Sequence, residues 1–153
     1  MISKFRAWDK ENKKMLVVNN ICNLFWESKF IECYELLPDP KGIQEYELIV
    51  HKIDLEDAIL MQSTGLFDIS TPQKEIFEGD VVASTWFKDY YNLVGYRKLG
   101  KVIYRNGCFC IEYPGDVDRG YPPTILNFAI DVEIIGNIFE NPELMEVGDD
   151  TEV

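Results

Sequence analysis

The feature that most constrains the fold is the Asn-Gly pair at positions 106–107, which stands between the alternating apolar segments GKVIYR and CFCIEY. A type I′ turn needs positive φ at both central residues, so Asn-Gly in this setting predicts a tight β-hairpin. A two-residue loop pairs Arg105 with Cys108 and Lys101 with Glu112. This register predicts a core face of Val102, Tyr104, Phe109, Ile111 and Tyr113, and a half-exposed face of Lys101, Ile103, Arg105, Cys108, Cys110 and Glu112.

A second turn is predicted at Glu78-Gly79-Asp80, directly before the β-branched run that starts at Val81. Glycine tolerates the sharp bend, and an aspartate can accept hydrogen bonds from nearby backbone amides. A catalytic or metal-binding role for Asp80 is the alternative, but no carboxylate or histidine stands at a companion spacing. The elements that follow have the layout of a small SH3-like barrel. They are the strand after this turn, a long loop, the tight hairpin and the closing strand DVEIIGNIF.

The first half of the chain is predicted to be β-rich as well. ISKFRAWDKENKKMLVV forms a hairpin around its polar centre, and NNICNLFWESKFIECYELL supplies two further strands. PDPKG, at 38–42, marks a turn. Between 43 and 62 strand and helix both remain open: Tyr46, Leu48 and Val50 alternate as in a strand, whereas DLEDAILMQ could form helical turns capped by Asp54.

Three separated motifs resemble the YopX family, which consists of proteins of phages and prophages of Gram-positive bacteria. They are KFRAWDKENKKML, then LMQSTGLFD with KEIFEGDVV, and finally VEIIGNIFENPELM, in order over residues 2–145. The resemblance implies a variable N-terminal part followed by a C-terminal SH3-like barrel, and it brings no catalytic residues. DISTPQ departs from the glycine-containing turn expected there, and Pro72 is predicted to supply the turn instead.

Together these observations predict a mainly β fold of the β-rich α+β kind. The expected parts are a β-rich segment at 1–70, an SH3-like barrel at 75–140, and a short helical turn with an acidic disordered tail at 141–153. The helical turn is expected because Asn141 can serve as N-cap and Pro142 suits the first helical position. From Glu140 to Val153 the chain carries six acidic residues and no basic one: Glu140, Glu143, Glu146, Asp149, Asp150 and Glu152.

Charge and hydropathy narrow the classes of partner. The 27 acidic and 15 basic residues give a net charge of −12, which disfavours general attraction to nucleic acid or anionic lipid. No apolar run approaches the roughly 20 residues that a membrane span needs. The N-terminus becomes charged too early for a signal peptide. We therefore expect a cytoplasmic protein of the host cell, without membrane association.

The residues that usually carry chemistry are sparse and unpaired in the sequence. The four cysteines, Cys22, Cys33, Cys108 and Cys110, include no C-x-x-C pair, and the single histidine is His51. This spacing predicts no metal site, no cofactor and no disulfide, and His51 is predicted to be a strand residue. Nucleophile-elbow, phosphate-loop, dinucleotide and metalloprotease motifs are missing. The sequence therefore favours a non-enzymatic protein.

The candidate binding surface is aromatic, and it lies in the connection that follows the strand after Asp80. Five rings are close together there: Trp86, Phe87, Tyr90, Tyr91 and Tyr96. A small barrel buries two or three of them, and exposed aromatics are enriched at protein interfaces. We expect an interaction module that forms a homo-oligomer or binds a phage or host protein. A barrel that binds single-stranded nucleic acid is the alternative, since Lys88, Arg97, Lys98, Lys101 and Arg105 lie near the rings.

Overall fold

The computed structural model describes residues 4–89, 91, 93–146 and 151–152. The chain divides into two compact units, Met1–Gln62 and Ser63–Val153. The strands are β1 Phe5–Asp9, β2 Lys14–Cys22, β3 Phe30–Pro38, β4 Tyr46–Asp54, β5 Ala58–Phe67, β6 Glu75–Phe77, β7 Asp80–Phe87, β8 Gly95–Arg105, β9 Cys108–Glu112, β10 Thr124–Ile125, β11 Ile130–Asn137 and β12 Thr151–Glu152. The helices are α1 Asp116–Arg119 and 3₁₀ turns at Leu55–Asp57, Leu126–Phe128 and Pro142–Met145. The predicted mainly β class is confirmed.

The first unit is an antiparallel sheet with strand order β4-β3-β2-β1-β5. The predicted hairpin between β1 and β2 is confirmed, with Ala7 opposite Leu16. One face of the sheet is covered by a core of Ala7, Leu16, Ile31, Cys33, Ile53 and Ala58. The segment at 43–62, which the pattern left open, forms β4, one 3₁₀ turn and the first part of β5. Asp54 makes no side-chain cap to that turn.

The second unit is built on a sheet of order β10-β9-β8-β7-β11. The core of this unit includes Val82, Val102 and Ile111 from the central strands of the sheet, together with Tyr113 and Val132. The latter part of β5 pairs with β6, with Ser63 opposite Phe77. The sheet ends at β10 and β11, so the described strands form two antiparallel sheets and no closed barrel.

The hairpin of β8 and β9 has the predicted register, with Lys101 opposite Glu112 and Arg105 opposite Cys108. Asn106 and Gly107 have φ values of 52° and 81°, as a type I′ turn requires. Most of the predicted core face is buried or half-buried, but the Tyr104 side chain is 53% exposed. Its ring packs edge-on against the Phe109 ring instead, with the two centroids 5.0 Å apart. Tyr104 therefore lies beyond the covered part of the hairpin.

The turn before β7 is made as the sequence predicts. Gly79 has a φ of 87°, and its amide donates to the carbonyl of Val102 over 2.9 Å. The buried Asp80 carboxylate accepts a 2.8 Å hydrogen bond from the amide of Phe77. Asp80 thus closes a turn between β6 and β7, which is a structural role.

A second buried carboxylate, Asp68, holds the chain after β5 against β11. It accepts hydrogen bonds from the amides of Ser70, Lys74 and Ile134 at 2.9–3.1 Å, and from the Ser70 hydroxyl at 2.6 Å. Burial alone would raise the pKa of Asp68, but these hydrogen bonds outweigh it and lower the pKa. Pro72, the residue predicted to make the turn here, follows a cis peptide bond.

The C-terminal segment forms the expected short helical turn, as a 3₁₀ helix with Pro142 as its first residue. The predicted capping by the Asn141 side chain is wrong, because its Oδ1 accepts from the amide of Asn137 instead, over 3.3 Å. Within the predicted acidic tail, Thr151 pairs with Arg97 on β8. Residues 147–150 and 153 of that tail lie outside the described residues. No described helix has the length and apolar composition that a membrane span requires.

Candidate interaction surfaces

The predicted aromatic connection is shorter than the sequence suggested, because β7 and β8 extend into it. Trp86 and Phe87 end β7, and Tyr96 lies near the start of β8, directly opposite Trp86. Tyr91 lies in the loop, whereas Tyr90 lies outside the described residues. The five predicted residues therefore come from two strands and the loop between them.

Trp86 is half-buried and packs against the core of the second unit. Its Nε1 donates to the Tyr113 hydroxyl over 3.0 Å and to the Ser84 hydroxyl over 3.2 Å. These two hydroxyls are themselves 2.7 Å apart, and the Trp86 and Tyr113 rings meet edge-on with centroids 5.5 Å apart. The Lys98 ammonium lies 4.4 Å from the centroid of the Tyr113 ring. Burial raises the pKa of Tyr113, so this group acts as a neutral, hydrogen-bonded part of the core.

Phe87 and Tyr91 are the described members of the predicted set that face solvent. Phe87 is 43% exposed and Tyr91 is 92% exposed. Phe87 also borders a surface groove of about 270 Å³, which Phe128 and Ile130 line from the segment around β11. These residues form a first apolar surface on the second unit.

The basic residues near the rings are accompanied by acidic groups. Lys101 and Arg105 both contact the Glu112 carboxylate, at 3.5 Å and 3.2 Å. The Lys98 ammonium lies 3.9 Å from the Asp116 carboxylate. Arg97 donates to the Asp131 carbonyl over 2.6 Å and lies 3.4 Å from Glu133. Each of these four cations therefore has a local counter-charge, which weakens its attraction for a phosphate backbone.

A second apolar surface lies on the first unit, where the sequence did not predict one. Strands β3 and β4 pair along their whole length, with Tyr34 opposite Val50 and Leu36 opposite Leu48. Side chains two residues apart on a strand share one face of the sheet. The five large side chains of this face are between 39% and 66% exposed. We call this surface the β3–β4 apolar face, and its members are Tyr34, Leu36, Tyr46, Leu48 and Val50.

The opposite side of the same two strands carries a small charged group. His51 Nε2 lies 2.8 Å from a Glu35 carboxylate oxygen, and the Lys14 ammonium lies 3.4 Å from the other. The hydrogen bond with His51 and the charge of Lys14 lower the pKa of Glu35. The prediction that His51 is a strand residue is confirmed, because it lies on β4.

The remaining chemistry-bearing side chains are dispersed over the described ranges. Cys108 and Cys110 share one side of β9, with their sulfur atoms 3.5 Å apart as thiols. Burial raises the pKa of the Cys33 thiol to about 11. Over residues 4–89, 91, 93–146 and 151–152, no three histidine, cysteine or acidic side chains are grouped as metal ligands would be.

The first unit also contains a surface cavity of about 460 Å³, which lies between the turn before β3 and the 3₁₀ turn after β4. Its titratable lining residues are Glu27, Lys29, Asp54 and Glu56. His51 is held by Glu35 and is not among the lining residues. The cavity thus offers carboxylates without the histidine or thiol partner that nucleophilic catalysis commonly uses.

Comparison with known proteins agrees with the motifs. No curated protein matches the sequence. The crystal structure of protein EF1440 from Enterococcus faecalis is similar, with 30% sequence identity, a TM-score of 0.57, and coverage of 95% of this chain and 99% of that one. The family described as YopX protein matches residues 4–146, which is nearly the whole chain. The chain therefore belongs to the YopX family.

Proposed function

We propose that the chain is a non-enzymatic protein-interaction module whose contact surface is the β3–β4 apolar face. The observation that carries the proposal is the exposure of five large side chains on one side of two paired strands. Soluble monomers rarely leave contiguous apolar surface of this kind uncovered, and where they do it commonly marks an interaction site.

The composition of the face supports the same conclusion. It presents two tyrosines, Tyr34 and Tyr46, beside three aliphatic side chains. Tyrosine is enriched at protein interfaces because it offers a large rigid ring with a hydrogen-bonding end. Complete burial of a fully exposed leucine or valine contributes about 1.5–3 kcal/mol. Leu36, Leu48 and Val50 are 51–66% exposed, so covering each of them would supply roughly half of that.

The alternatives have weaker support. An enzyme needs ionisable groups that converge on a substrate, and the carboxylates around the cavity at Glu27 and Asp54 have no histidine or thiol beside them. A nucleic-acid-binding role needs cations that are available for phosphate, and Arg97, Lys98 and Lys101 already lie beside acidic groups. The exposed Phe87 and Tyr91 remain a second candidate contact, on the other unit.

The setting of the function is part of the proposal. The resemblance to phage and prophage proteins supports a role for a phage inside a bacterial cell, with a phage protein, a host protein or a second copy as partner. Four cysteines as free thiols fit the reducing cytoplasm. A body with a net charge of −12 stays soluble while a small uncharged surface binds.

The test is photo-crosslinking in cells that express the protein. A photoreactive amino acid replaces Leu48 on the β3–β4 apolar face, Tyr91 in the aromatic connection, or Val117 on α1 as the matched control, since its exposure of 58% is close to the 53% of Leu48. We expect discrete protein adducts from Leu48 and only diffuse background from Val117. Equal yields at these two positions would overturn the proposal. Adducts from Tyr91 alone would move the contact surface to the second unit.

A further inference from the structure

Strand β4 is an edge strand with few of the features that normally protect an edge. It is the last strand in the order β4-β3-β2-β1-β5, and no described strand pairs with its other side. Its nine residues, YELIVHKID, include no proline or glycine, and its register with β3 runs without a bulge. Proteins commonly protect such edges with prolines, bulges or outward-pointing charges.

The charged side chains of β4 give limited protection. The Lys52 ammonium lies over the Phe30 ring, 4.2 Å from its centroid. His51 is bonded to Glu35 on the other side of the sheet. Between Tyr46 and His51, three of the four positions are occupied by Leu48, Ile49 and Val50. The edge therefore combines backbone hydrogen-bonding groups with an apolar centre, which suits addition of another strand.

We propose that β4 pairs with β4 of a second copy of this chain, antiparallel and around a two-fold axis, so that two sheets join into one. The inference rests on the proposed function, because Tyr46, Leu48 and Val50 of the β3–β4 apolar face lie on this strand, and it names a second copy as the partner that meets the face at its β4 edge. A two-fold contact presents one patch to its own copy, so the strand must be complementary to itself. The sequence of β4 meets this condition in one particular register.

In that register Ile49 lies opposite Ile49 of the second copy. Leu48 then faces the second Val50, and both lie on the β3–β4 apolar face. Tyr46 faces the second Lys52 on the same side, where a ring and an ammonium attract. Glu47 faces the second His51 on the other side. By symmetry each pair except the central Ile49–Ile49 pair occurs twice. The two charged residues of the central seven, Glu47 and Lys52, thus face an imidazole and an aromatic ring.

Neighbouring registers that keep the two apolar faces on one side fit less well. With Val50 at the axis, Glu47 faces Ile53 and Leu48 faces Lys52. With Leu48 at the axis, Glu47 faces Ile49. Only the Ile49 register places a carboxylate from within β4, that of Glu47, opposite His51. With Leu48 at the axis, the residue opposite His51 is Glu45, which precedes the first residue of β4. The pairing of a strand carboxylate with the His51 imidazole therefore favours this register over the other two.

The experiment is sedimentation equilibrium of the full chain over a wide range of concentration. The buffer contains salt at about 0.15 M, where the Debye length of about 8 Å screens repulsion between the acidic bodies. Leu48→Asp is compared with Leu36→Asp, which places the same charge on the same face, one strand away from the edge. We expect a reversible dimer, a more than tenfold weaker dimer for Leu48→Asp, and a change of less than about threefold for Leu36→Asp.

The register is tested by Glu47→Lys against Glu45→Lys. Both variants change the net charge equally, but Glu45 precedes the first residue of β4 and faces Ile53 in the proposed pairing. Loss of a favourable pair at two symmetric positions should weaken the dimer about 2- to 30-fold for Glu47→Lys. Equal affinities of these two variants would overturn the register.

Hydrogen exchange gives a measurement that does not depend on any variant folding. Backbone amides of β4 should exchange more slowly as the concentration of the unmodified chain rises, whereas amides of α1 should not change. Concentration-independent exchange in β4, or a strictly monomeric chain, would overturn the self-pairing. If Leu48 nevertheless formed adducts with a different protein in cells, the proposed function would stand and this inference alone would fail.

Equal losses from Leu48→Asp and Leu36→Asp would indicate that a partner covers the face of the sheet and does not extend its edge. That result would also overturn the inference. A monomeric chain without any adduct at Leu48 would remove both proposals together. Circular dichroism of the four variants verifies that each retains the β content of the unmodified chain.

Discussion

The replacement of Asp68 by asparagine should destabilise the second unit strongly, although the two side chains have almost the same shape. Asp68 is 1% exposed. One of its carboxylate oxygens accepts from the amides of Ser70 and Lys74, and the other accepts from the Ser70 hydroxyl and the amide of Ile134. The carboxylate thus joins the segment after β5 to β11 by hydrogen bonds to three backbone amides.

The size of the destabilisation depends on which hydrogen bonds an asparagine side chain at position 68 can still accept. Its carbonyl oxygen can keep the two bonds to Ser70 and Lys74, and the Ser70 hydroxyl can turn to accept from the new amide group. The amide of Ile134 then faces a donor and loses its partner. Loss of one bond to a charged acceptor costs about 1.5–3 kcal/mol, and the two retained bonds lose their charge assistance. We expect Asp68→Asn to lower the free energy of unfolding by about 2–4 kcal/mol.

Urea unfolding followed by tryptophan fluorescence measures this change, since Trp86 packs against the core of the same unit. For a typical dependence of about 2 kcal/mol per molar urea, the midpoint should fall by about 1–2 M. Asp39→Asn is the matched control. Its carboxylate also accepts from three backbone amides, but it lies in an exposed turn, so we expect less than about 1 kcal/mol. Equal effects of the two variants would contradict the role assigned to the buried Asp68 carboxylate.

The Asp68→Asn variant also tests how the free energy of unfolding depends on pH. The pKa of Asp68 in the folded chain is below its ordinary value of 3.8, so the carboxylate contributes stability above that value. This contribution is lost as the pH falls through the lowered pKa. The difference in unfolding free energy between the unmodified chain and Asp68→Asn should therefore be constant from about pH 7 to 5 and decrease below about pH 4. A difference that stays constant at lower pH would contradict the assigned charge.

Three further predictions concern packing and thiol chemistry. Gly100→Ala would place its Cβ 2.5 Å from Cγ2 of Ile111, and this overpacking should cost about 1–3 kcal/mol, measured as a lower thermal midpoint. Tyr113→Phe should cost about 1–2 kcal/mol in urea unfolding, and its combination with Ser84→Ala should cost less than the sum, because one hydrogen bond joins the two hydroxyls. The Cys33 thiol, whose pKa burial raises to about 11, should react with a disulfide reagent only as fast as the first unit opens.

Each of these three has an internal control. Gly95→Ala meets a nearest atom at 3.0 Å, the side-chain methyl of Thr85, and should cost less than Gly100→Ala. Strict additivity of the Tyr113 and Ser84 variants would contradict a shared hydrogen bond. The half-exposed Cys108 should be labelled in the folded chain, so equal labelling rates for Cys33 and Cys108 would contradict the burial argument.

The parts of the fold that depend on local chemistry could be predicted from the sequence. Asn106-Gly107 admits the positive φ of a type I′ turn, and that turn determines which residues of β8 and β9 face each other. Asp80 could be assigned to a turn because its acceptor role reaches only three residues back, to Phe77. The β1–β2 hairpin followed from two apolar runs around one polar segment.

The parts that depend on distant residues could not be predicted. The partner of Asp68 on β11, Ile134, is 66 positions away, and no local pattern connects them. Trp86 was a candidate for the binding surface, yet its indole nitrogen donates to the Tyr113 hydroxyl and its ring packs against the core. The alternation of Tyr46 with Leu48 and Val50 was visible, but a pattern of alternating residues does not indicate which face of a sheet remains uncovered.

The two-residue loop of the β8–β9 hairpin also has a kinetic consequence. Strand pairing across so short a loop costs little chain entropy and occurs within about 1–10 μs in isolated hairpins. The pairing of Val82 on β7 with Ile134 on β11 must close a far longer loop, and such non-local contacts form late. We therefore infer that the second unit folds outward from the Asn106-Gly107 turn. Truncation of Val102 on β8 would then slow folding, whereas truncation of Val132 on β11 would chiefly speed unfolding, and the reverse pattern of rates would place the folding nucleus at β11.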